Sequence, residues 1–265
     1  MPIILQIIIS LIHYQINKNL ILYFPYFNIL LLFTAYKNNI EGLYITNSFK
    51  SNFLWYNKFY QRLIVNLFII AVIITQMEVN MEEKEKMLAG ELYDANYNEF
   101  LANERLKAKQ LCYEYNQLEP KNIEKRVQIL KNLLRKTKND FRIEQPFICD
   151  YGYNIEIGEN FYSNHNLIIL DANKVKIGDN VFIGPNCGLY TSGHPTNVEE
   201  RNKGLEYAKP IEIGNNVWIG GNVVILPGVK IGDNTVIGAG SIVVKDIPSN
   251  VVAVGNPCKP IKNIE

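Results

Sequence analysis

Few side chains in this chain can do chemistry. Its 265 residues hold three histidines, His13, His165 and His194, and four cysteines, Cys112, Cys149, Cys187 and Cys258. An imidazole with an ordinary pKa near 6.5 can take a proton from a hydroxyl at neutral pH, so a histidine held against a substrate is a natural general base. His194 stands in Gly193-His194-Pro195, inside a stretch that interrupts an otherwise regular pattern, whereas His165 stands in the polar turn Asn164-His165-Asn166. Loops on rigid scaffolds concentrate function, which makes His194 a candidate, although a lone loop histidine is by default a surface residue. The cysteines have no CxxC spacing, so neither zinc nor a redox pair is implied, and Cys187 reads as core. A catalytic zinc site takes about three protein ligands, typically histidines. Two histidines after residue 80 do not supply them, and no metal is expected. The formal net charge of +1 gives no support for nucleic-acid binding.

What must position these residues is a repeat. After Asp140 aliphatic residues recur every six positions, at Ile177, Ile183 and Leu189 and again at Ile213, Ile219, Ile225, Ile231, Ile237 and Val243. Glycine follows at Gly178, Gly184, Gly214, Gly220, Gly232 and Gly238, and a small or apolar residue stands two places before each aliphatic one. The gap from Leu189 to Ile213 is 24 residues, four whole repeats, so it can house a loop without upsetting the phase. Such a period marks a parallel β-helix in which each unit gives a short strand and a turn. A fully buried aliphatic side chain contributes about 1.5–3 kcal/mol, so the stacked positions make a core. Glycine fits turns that need positive φ or have no room for a Cβ.

Ahead of the repeat the pattern is helical. Met81–Gly90 is charged with Gly90 as a stop, Glu99–Glu114 places Phe100, Leu101, Leu106 and Leu111 among charges, and Ile123–Lys136 places Ile123, Val127, Leu130 and Leu134 three and four apart. Pro120 is expected in the first turn of that last helix. Residues 81–140 therefore read as a helical cap on a coil domain of residues 141–265.

Residues 1–80 are unlike the rest. Phe, Ile, Asn, Lys, Tyr and Leu, whose codons are rich in A and T, make up about 55 of these 80 residues. One reading is a membrane leader, since Asn19–Tyr36 is 18 uncharged residues, although it contains Pro25 and Asn28. A signal peptide fits badly, because Met1–Asn17 has no basic start and no small-residue cleavage site follows. The favoured reading is upstream sequence that is not translated. Met77-Glu78-Val79-Asn80-Met81 back-translates, with GAG for Glu78, to GGAGGT ahead of the Met81 codon, which resembles a bacterial ribosome-binding site. The expected product then starts at Met81 or Met77, carries a net charge of −2 once five positive and two negative residues are removed, and is cytoplasmic. A membrane contact is expected only if residues 1–80 are made.

The repeat region and its cap resemble the hexapeptide-repeat acyltransferases, and within them the maltose/galactoside O-acetyltransferases. The resemblance rests on Ala89-Gly90-Glu91-Leu92-Tyr93, Cys149-Asp150-Tyr151-Gly152-Tyr153-Asn154-Ile155, Gly158-Glu159-Asn160-Phe161-Tyr162, Gly193-His194-Pro195, Ile213–Gly220, Gly238-Ala239-Gly240-Ser241 and Val254-Gly255-Asn256-Pro257-Cys258-Lys259. It implies a mainly β fold, a left-handed parallel β-helix with an N-terminal helical segment, assembled as a homotrimer with active sites between subunits. It also implies acetyl-CoA as donor, a small sugar as acceptor and a start close to Met81.

The family's site residues carry over by position. His194 matches the catalytic histidine. Asp150, Tyr162 and Asn164 match acceptor contacts, where carboxylate and amide groups fix which sugar hydroxyl meets the base. Glu206 matches an acidic position of maltose-type members, where it would orient His194 or bind sugar. Gly221, in the Gly220-Gly221 step, matches a position near the CoA thioester, with Trp218 beside it. Ala239, Val244 and Lys245 match the CoA arm, and Lys259 and Lys262 are placed for its phosphates. Where galactoside-type members carry two consecutive aspartates this chain has Asp171-Ala172, which leans the acceptor toward glucose- or maltose-like sugars. The expected reaction is direct acetyl transfer in a ternary complex, with no acyl-enzyme. Alternatives are an acetyltransferase for drugs or other small molecules on the same fold, a metal-dependent carbonic anhydrase on the same coil, and a non-catalytic scaffold.

Overall fold

The structure is a computed structural model that describes residues 82–265 and, before them, three short strands, Leu20–Phe24, Ile29–Phe33 and Leu43–Tyr44, paired antiparallel in that order. Met1–Ile70 and Ala71–Glu265 are separate compact units. Apart from those strands, the expectations for residues 1–80 lie outside the described residues. Among the described residues no helix is long and apolar enough to cross a membrane.

The six-residue period folds as a parallel β-solenoid with three faces. Face A stacks Lys136–Thr137, Ile155–Ile157, Val175–Ile177, Ile211–Ile213 and Lys230–Ile231. Face B stacks Phe141–Ile143, Phe161–Ser163, Phe182–Ile183, Trp218–Ile219, Val236–Ile237 and Val251–Gly255, and Cys258–Asn263 closes it antiparallel. Face C stacks Phe147–Cys149, Leu167–Leu170, Gly188–Tyr190, Val224–Ile225 and Ile242–Val243. The aliphatic residue of each strand points inward, and Ile155, Leu189, Ile219, Ile225 and Val243 are fully buried. Cys187 is core, as its place in the repeat implies.

The register shows how the coil absorbs its interruption. Glu212 pairs with Lys230 and Trp218 with Val236, 18 residues on, which is three repeats per turn. Ile183 pairs with Ile219, 36 residues on, so the excursion leaves the phase intact. The first coils are two residues longer, with Ile155 facing Val175 and Ile148 facing Ile168. The added residues fall where face C turns into face A, around Asp150–Asn154 and Asp171–Lys174. The excursion leaves from that same corner one coil later. Three widened corners thus stack on one edge.

Positive φ in the turns belongs mostly to asparagine. Asn160, Asn166, Asn180, Asn186, Asn216, Asn222, Asn234 and Asn250 are left-handed at φ of 51–63°. Most of the repeat glycines instead serve close approach. A Cβ on Gly158 would sit 2.4 Å from the Gly178 carbonyl oxygen of the next coil. The asparagines also bond to one another along the edge: Asn160 to Asn180, Asn180 to Asn216, Asn216 to Asn234 and Asn234 to Asn250, at 2.8–3.0 Å.

The cap is helix α1 over residues 82–89, ended by Gly90 at φ +81°, then α2, Glu99–Asn116, and α3, Ile123–Leu133. It covers the first coil. Asn116 donates to the Phe147 carbonyl and accepts from the Phe147 N–H, so it stands in for a missing strand partner. Arg126 donates to the Ile143 carbonyl and to Glu144. The buried stripes match the expected ones in part: Leu101, Leu130 and Leu134 are buried and Phe100, Leu111 and Val127 pack against the core. In α2 the buried residues are Leu101, Ala108, Cys112 and Tyr115, and in α3 Arg126, Ile129, Leu130 and Leu133, while Leu106 and Ile123 are exposed. The coil rim needs polar partners as well as apolar ones, so Arg126 and the Tyr115 hydroxyl sit on the buried face with both their polar ends bonded to the Ile143 carbonyl. Pro120 precedes α3, with its carbonyl accepting from Arg126.

Candidate active site

The excursion that carries His194 is built as a small sheet. Ser192–Gly193 pairs antiparallel with Leu205–Ala208, and that strand pairs on its other edge with Tyr93–Asp94 of the cap. Between them α4, Val198–Asn202, starts on Asn197, whose side chain accepts from two backbone N–H groups. The base is tied to the coil by Thr191, which bonds to the Leu170 carbonyl, and by Lys209, whose N–H donates to the Thr191 carbonyl. Gly193 lies against the Tyr207 ring, where a Cβ would come within 2.7 Å of its hydroxyl.

His194 follows directly. Its Nδ1 lies 3.1 Å from the Leu205 carbonyl oxygen. A carbonyl only accepts, so Nδ1 carries the hydrogen, and in the neutral ring Nε2 holds the free lone pair. Nε2 is 3.6 Å from Glu206 Oε1. The other Glu206 oxygen accepts from the Tyr93 hydroxyl at 2.8 Å. Tyr93 is buried, and burial followed by the Glu206 charge pushes its phenol far up, so it stays protonated and donates.

Asp150 shares a cavity with Glu206 and Tyr93, whose lining does not include His194. The cavity, of about 200 Å³, is also lined by Arg105, Ala172 and Ser192. Burial pushes the Asp150 carboxyl up, Arg105 opposes this, and the Glu206 charge adds to it. Beneath it the Asp171 carboxylate accepts from the backbone N–H groups of Asp150, Tyr151 and Asn154 at 3.0, 2.8 and 3.3 Å. Asp171 therefore shapes the Asp150 turn from below, and the Ala172 side chain lines the cavity beside it. Burial pushes Asp171 up to about 7. Arg105 of α2 donates to the Tyr151 hydroxyl at 2.7 Å and to the Ala95 carbonyl at 2.6 Å.

Within one chain the remaining expected residues lie elsewhere. Tyr162 is on face B, flanked by Arg142 and Phe182, and Asn164 is in the turn after it, accepting from the His165 N–H. His165 itself bonds to the Gln145 carbonyl, a turn contact. Trp218 is exposed on face B between Phe182 and Val236. Gly221 and Ala239 share the next corner, where the Gly240 N–H donates to the Gly221 carbonyl. Val244 and Lys245 follow the last strand of face C, and Lys259 and Lys262 lie on the closing strand opposite Val254 and Val252. Tyr93, Arg105 and Asp171 received no role from sequence. Arg105 carries a signal, a charge on the stripe Leu101, Ala108, Cys112 that α2 buries, and Tyr93 stands in Ala89-Gly90-Glu91-Leu92-Tyr93.

The comparisons agree with this architecture. Residues 86–138 match the maltose acetyltransferase hexapeptide capping motif, residues 210–245 the bacterial transferase hexapeptide (six repeats), and residues 174–201 a hexapeptide repeat of succinyl-transferase. A maltose O-acetyltransferase from Clostridium difficile is 53% identical, with a TM-score of 0.67, over 69% of this chain and 97% of that one. A galactoside acetyltransferase in complex with coenzyme A is 51% identical, TM-score 0.66, over 68% and 90%. A hexapeptide-repeat acetyltransferase of Vibrio cholerae in complex with acetyl coenzyme A is 35% identical, TM-score 0.64, over 69% and 98%. The chain belongs to the maltose/galactoside O-acetyltransferase family of hexapeptide-repeat acyltransferases, and it is an acetyltransferase.

Proposed function

We propose that this enzyme moves the acetyl group of acetyl-CoA to a hydroxyl of a glucose- or maltose-type sugar, with His194 as general base. The carrying observation is the His194 tautomer: the Leu205 carbonyl takes the Nδ1 hydrogen and leaves Nε2 to accept a proton. The acceptor oxygen attacks the thioester carbonyl carbon as its proton passes to Nε2. The tetrahedral intermediate then collapses, the C–S bond breaks, and the proton leaves His194 for the CoA sulfur. The Glu206 carboxylate stabilises the imidazolium that forms in between. A base of this kind contributes about 10²–10⁴-fold. The transfer is direct, and the burial of all four cysteines supports that by leaving no exposed thiol to carry the acetyl group.

Asp150 orients the sugar, and the Ala172 methyl beside it favours an acceptor that needs one carboxylate there. Tyr162 and Asn164, on another part of the surface, act across a subunit boundary. The outward side chains support a homotrimer. Face A presents the charged ladder Lys136, Glu156, Lys176, Glu212, Lys230. Face B presents Tyr162, Phe182, Trp218 and Val236, and face C presents Ile148, Ile168, Val224 and Ile242. Two different apolar faces per copy make a head-to-tail contact that closes as a ring. CoA then lies along the boundary, its thioester near Gly221 and Trp218, its arm along Ala239, Val244 and Lys245, and its phosphates at Lys259 and Lys262. The reading places the enzyme in the cytoplasm, with its donor.

Steady-state assays with acetyl-CoA against maltose, glucose, a β-galactoside and chloramphenicol test the acceptor, and kcat/KM highest for glucose or maltose is expected. In the same assay His194→Ala should lose at least about 10²-fold in kcat. Unchanged transfer in that variant contradicts the mechanism, and preference for chloramphenicol contradicts the sugar assignment.

A further inference from the structure

We propose that Tyr93 is a positioning residue for acetyl transfer: its phenol holds one oxygen of Glu206 so that the other faces His194. The proposal rests on the reading of His194 as base.

The backbone puts the pair together, since Glu206 sits directly across from Tyr93 in the antiparallel pairing of Leu205–Ala208 with Tyr93–Asp94. The Tyr93 side chain is 1% exposed, so its hydroxyl has a fixed position, and it donates to Glu206 Oε2 at 2.8 Å. Glu206 Oε1 is left 3.6 Å from His194 Nε2. That distance suits an ion pair but exceeds a hydrogen bond, so Nε2 stays open to the acceptor hydroxyl.

The carboxylate would otherwise be free to swing. Glu206 projects from a strand of the excursion and is only partly buried, and a glutamate has several rotamers to lose. A charge-assisted hydrogen bond from a buried phenol removes that freedom before the reaction begins. The carboxylate then waits where positive charge will develop on the imidazole, which is the arrangement that costs no reorganisation at the moment of proton transfer. Tyr93 is itself fixed from the cap. The Asp94 N–H donates to Glu83 of α1 at 2.6 Å, and the buried Asn173 amide bonds to the carbonyls of Met87, Leu88 and Ala208 at 3.0–3.2 Å. The helical cap therefore reaches the Glu206 carboxylate through the Tyr93 hydroxyl.

The test is a double-mutant cycle on the full enzyme with acetyl-CoA and maltose. Tyr93→Phe should lower kcat about tenfold, corresponding to part of the barrier reduction a general base supplies. The KM for both substrates should move less than about twofold, because nothing that touches them is removed. Glu206→Ala should lower kcat by at least as much, and Tyr93→Phe added to Glu206→Ala should change nothing further. Wild-type kcat in Tyr93→Phe, or effects of the two changes that multiply, overturns the proposal. Glu206→Gln probes the contact without touching the cap, since its amide oxygen still accepts from Tyr93 but the charge is gone. Full activity in that variant also overturns the proposal, whatever the fold of Tyr93→Phe. Activity retained in His194→Ala removes the base assignment itself, whereas loss there with normal Tyr93→Phe removes only the role of Tyr93.

Discussion

What His194 can do depends on what surrounds it: a carbonyl beside one ring nitrogen and a carboxylate that faces the other. Asp171 shows the same dependence for the acceptor side. Its carboxylate gathers the N–H groups of Asp150, Tyr151 and Asn154, so the turn that presents Asp150 is organised around a buried titratable group. Burial pushes its carboxyl up to about 7, against roughly 3.9 for an unperturbed aspartate. Between these values the unfolded chain has released a proton that the folded chain keeps, so this group's contribution to stability falls as pH rises through the window and is level above it. Urea unfolding of the enzyme and of Asp171→Asn across about pH 4 to 8 reads this directly. The wild-type stability should decline relative to the variant up to about pH 7, and a constant difference contradicts it.

At the scale of elements, glycine and asparagine divide the labour of the turns. Most of the repeat glycines make room for the next coil, while the asparagines take the left-handed conformation and bond along the edge. A left-handed residue other than glycine or asparagine costs about 1–2 kcal/mol, and a lost hydrogen bond about 1 kcal/mol more. Asn216, at φ 56° and bonded to both Asn180 and Asn234, is the sharpest case. Asn216→Ala should lose about 2–3 kcal/mol in denaturant unfolding, and Asn216→Gly less, because glycine keeps the backbone and loses only the ladder. Equal losses would mean the conformation is not what the asparagine supplies.

For the whole molecule the three faces are unequal. Face A is a ladder of alternating charge that suits water, with Lys230 paired to Glu212 at 3.1 Å. Faces B and C expose Phe182, Trp218 and Ile148. Apolar patches of this continuity mark contact surfaces. Phe182→Glu places a charge in the middle of face B without entering the core, because Phe182 points outward between Tyr162 and Trp218. Sedimentation velocity should show the parent as the proposed trimer and the variant as a single copy, and activity should fall with assembly, since the proposed acceptor and CoA residues are split between faces. A fully active single copy contradicts sites between subunits.

The six-residue period, its phase across the excursion and the cap were legible because each depends on local spacing. A side chain every sixth residue must stack on its equivalent, and 24 residues are four repeats wherever the loop goes. His194, the proposed base, stands out in the sequence as a histidine in a break of the pattern. The buried faces of α2 and α3 were legible in part: Leu101, Leu130 and Leu134 are buried and Leu111 and Val127 pack against the core. Arg126 and Tyr115, which bond the Ile143 carbonyl at the coil rim, were not, because polar residues on an apolar face leave no periodic trace. Nor were the roles of Tyr93, Arg105 and Asp171 legible. Tyr93 and Glu206 are 113 residues apart and meet only when a cap strand pairs with a strand of the excursion. Sequence determined the solenoid and singled out His194; only the tertiary structure decided what surrounds that histidine, because pairings between distant strands are set by the packing of the whole and not by neighbours in the chain.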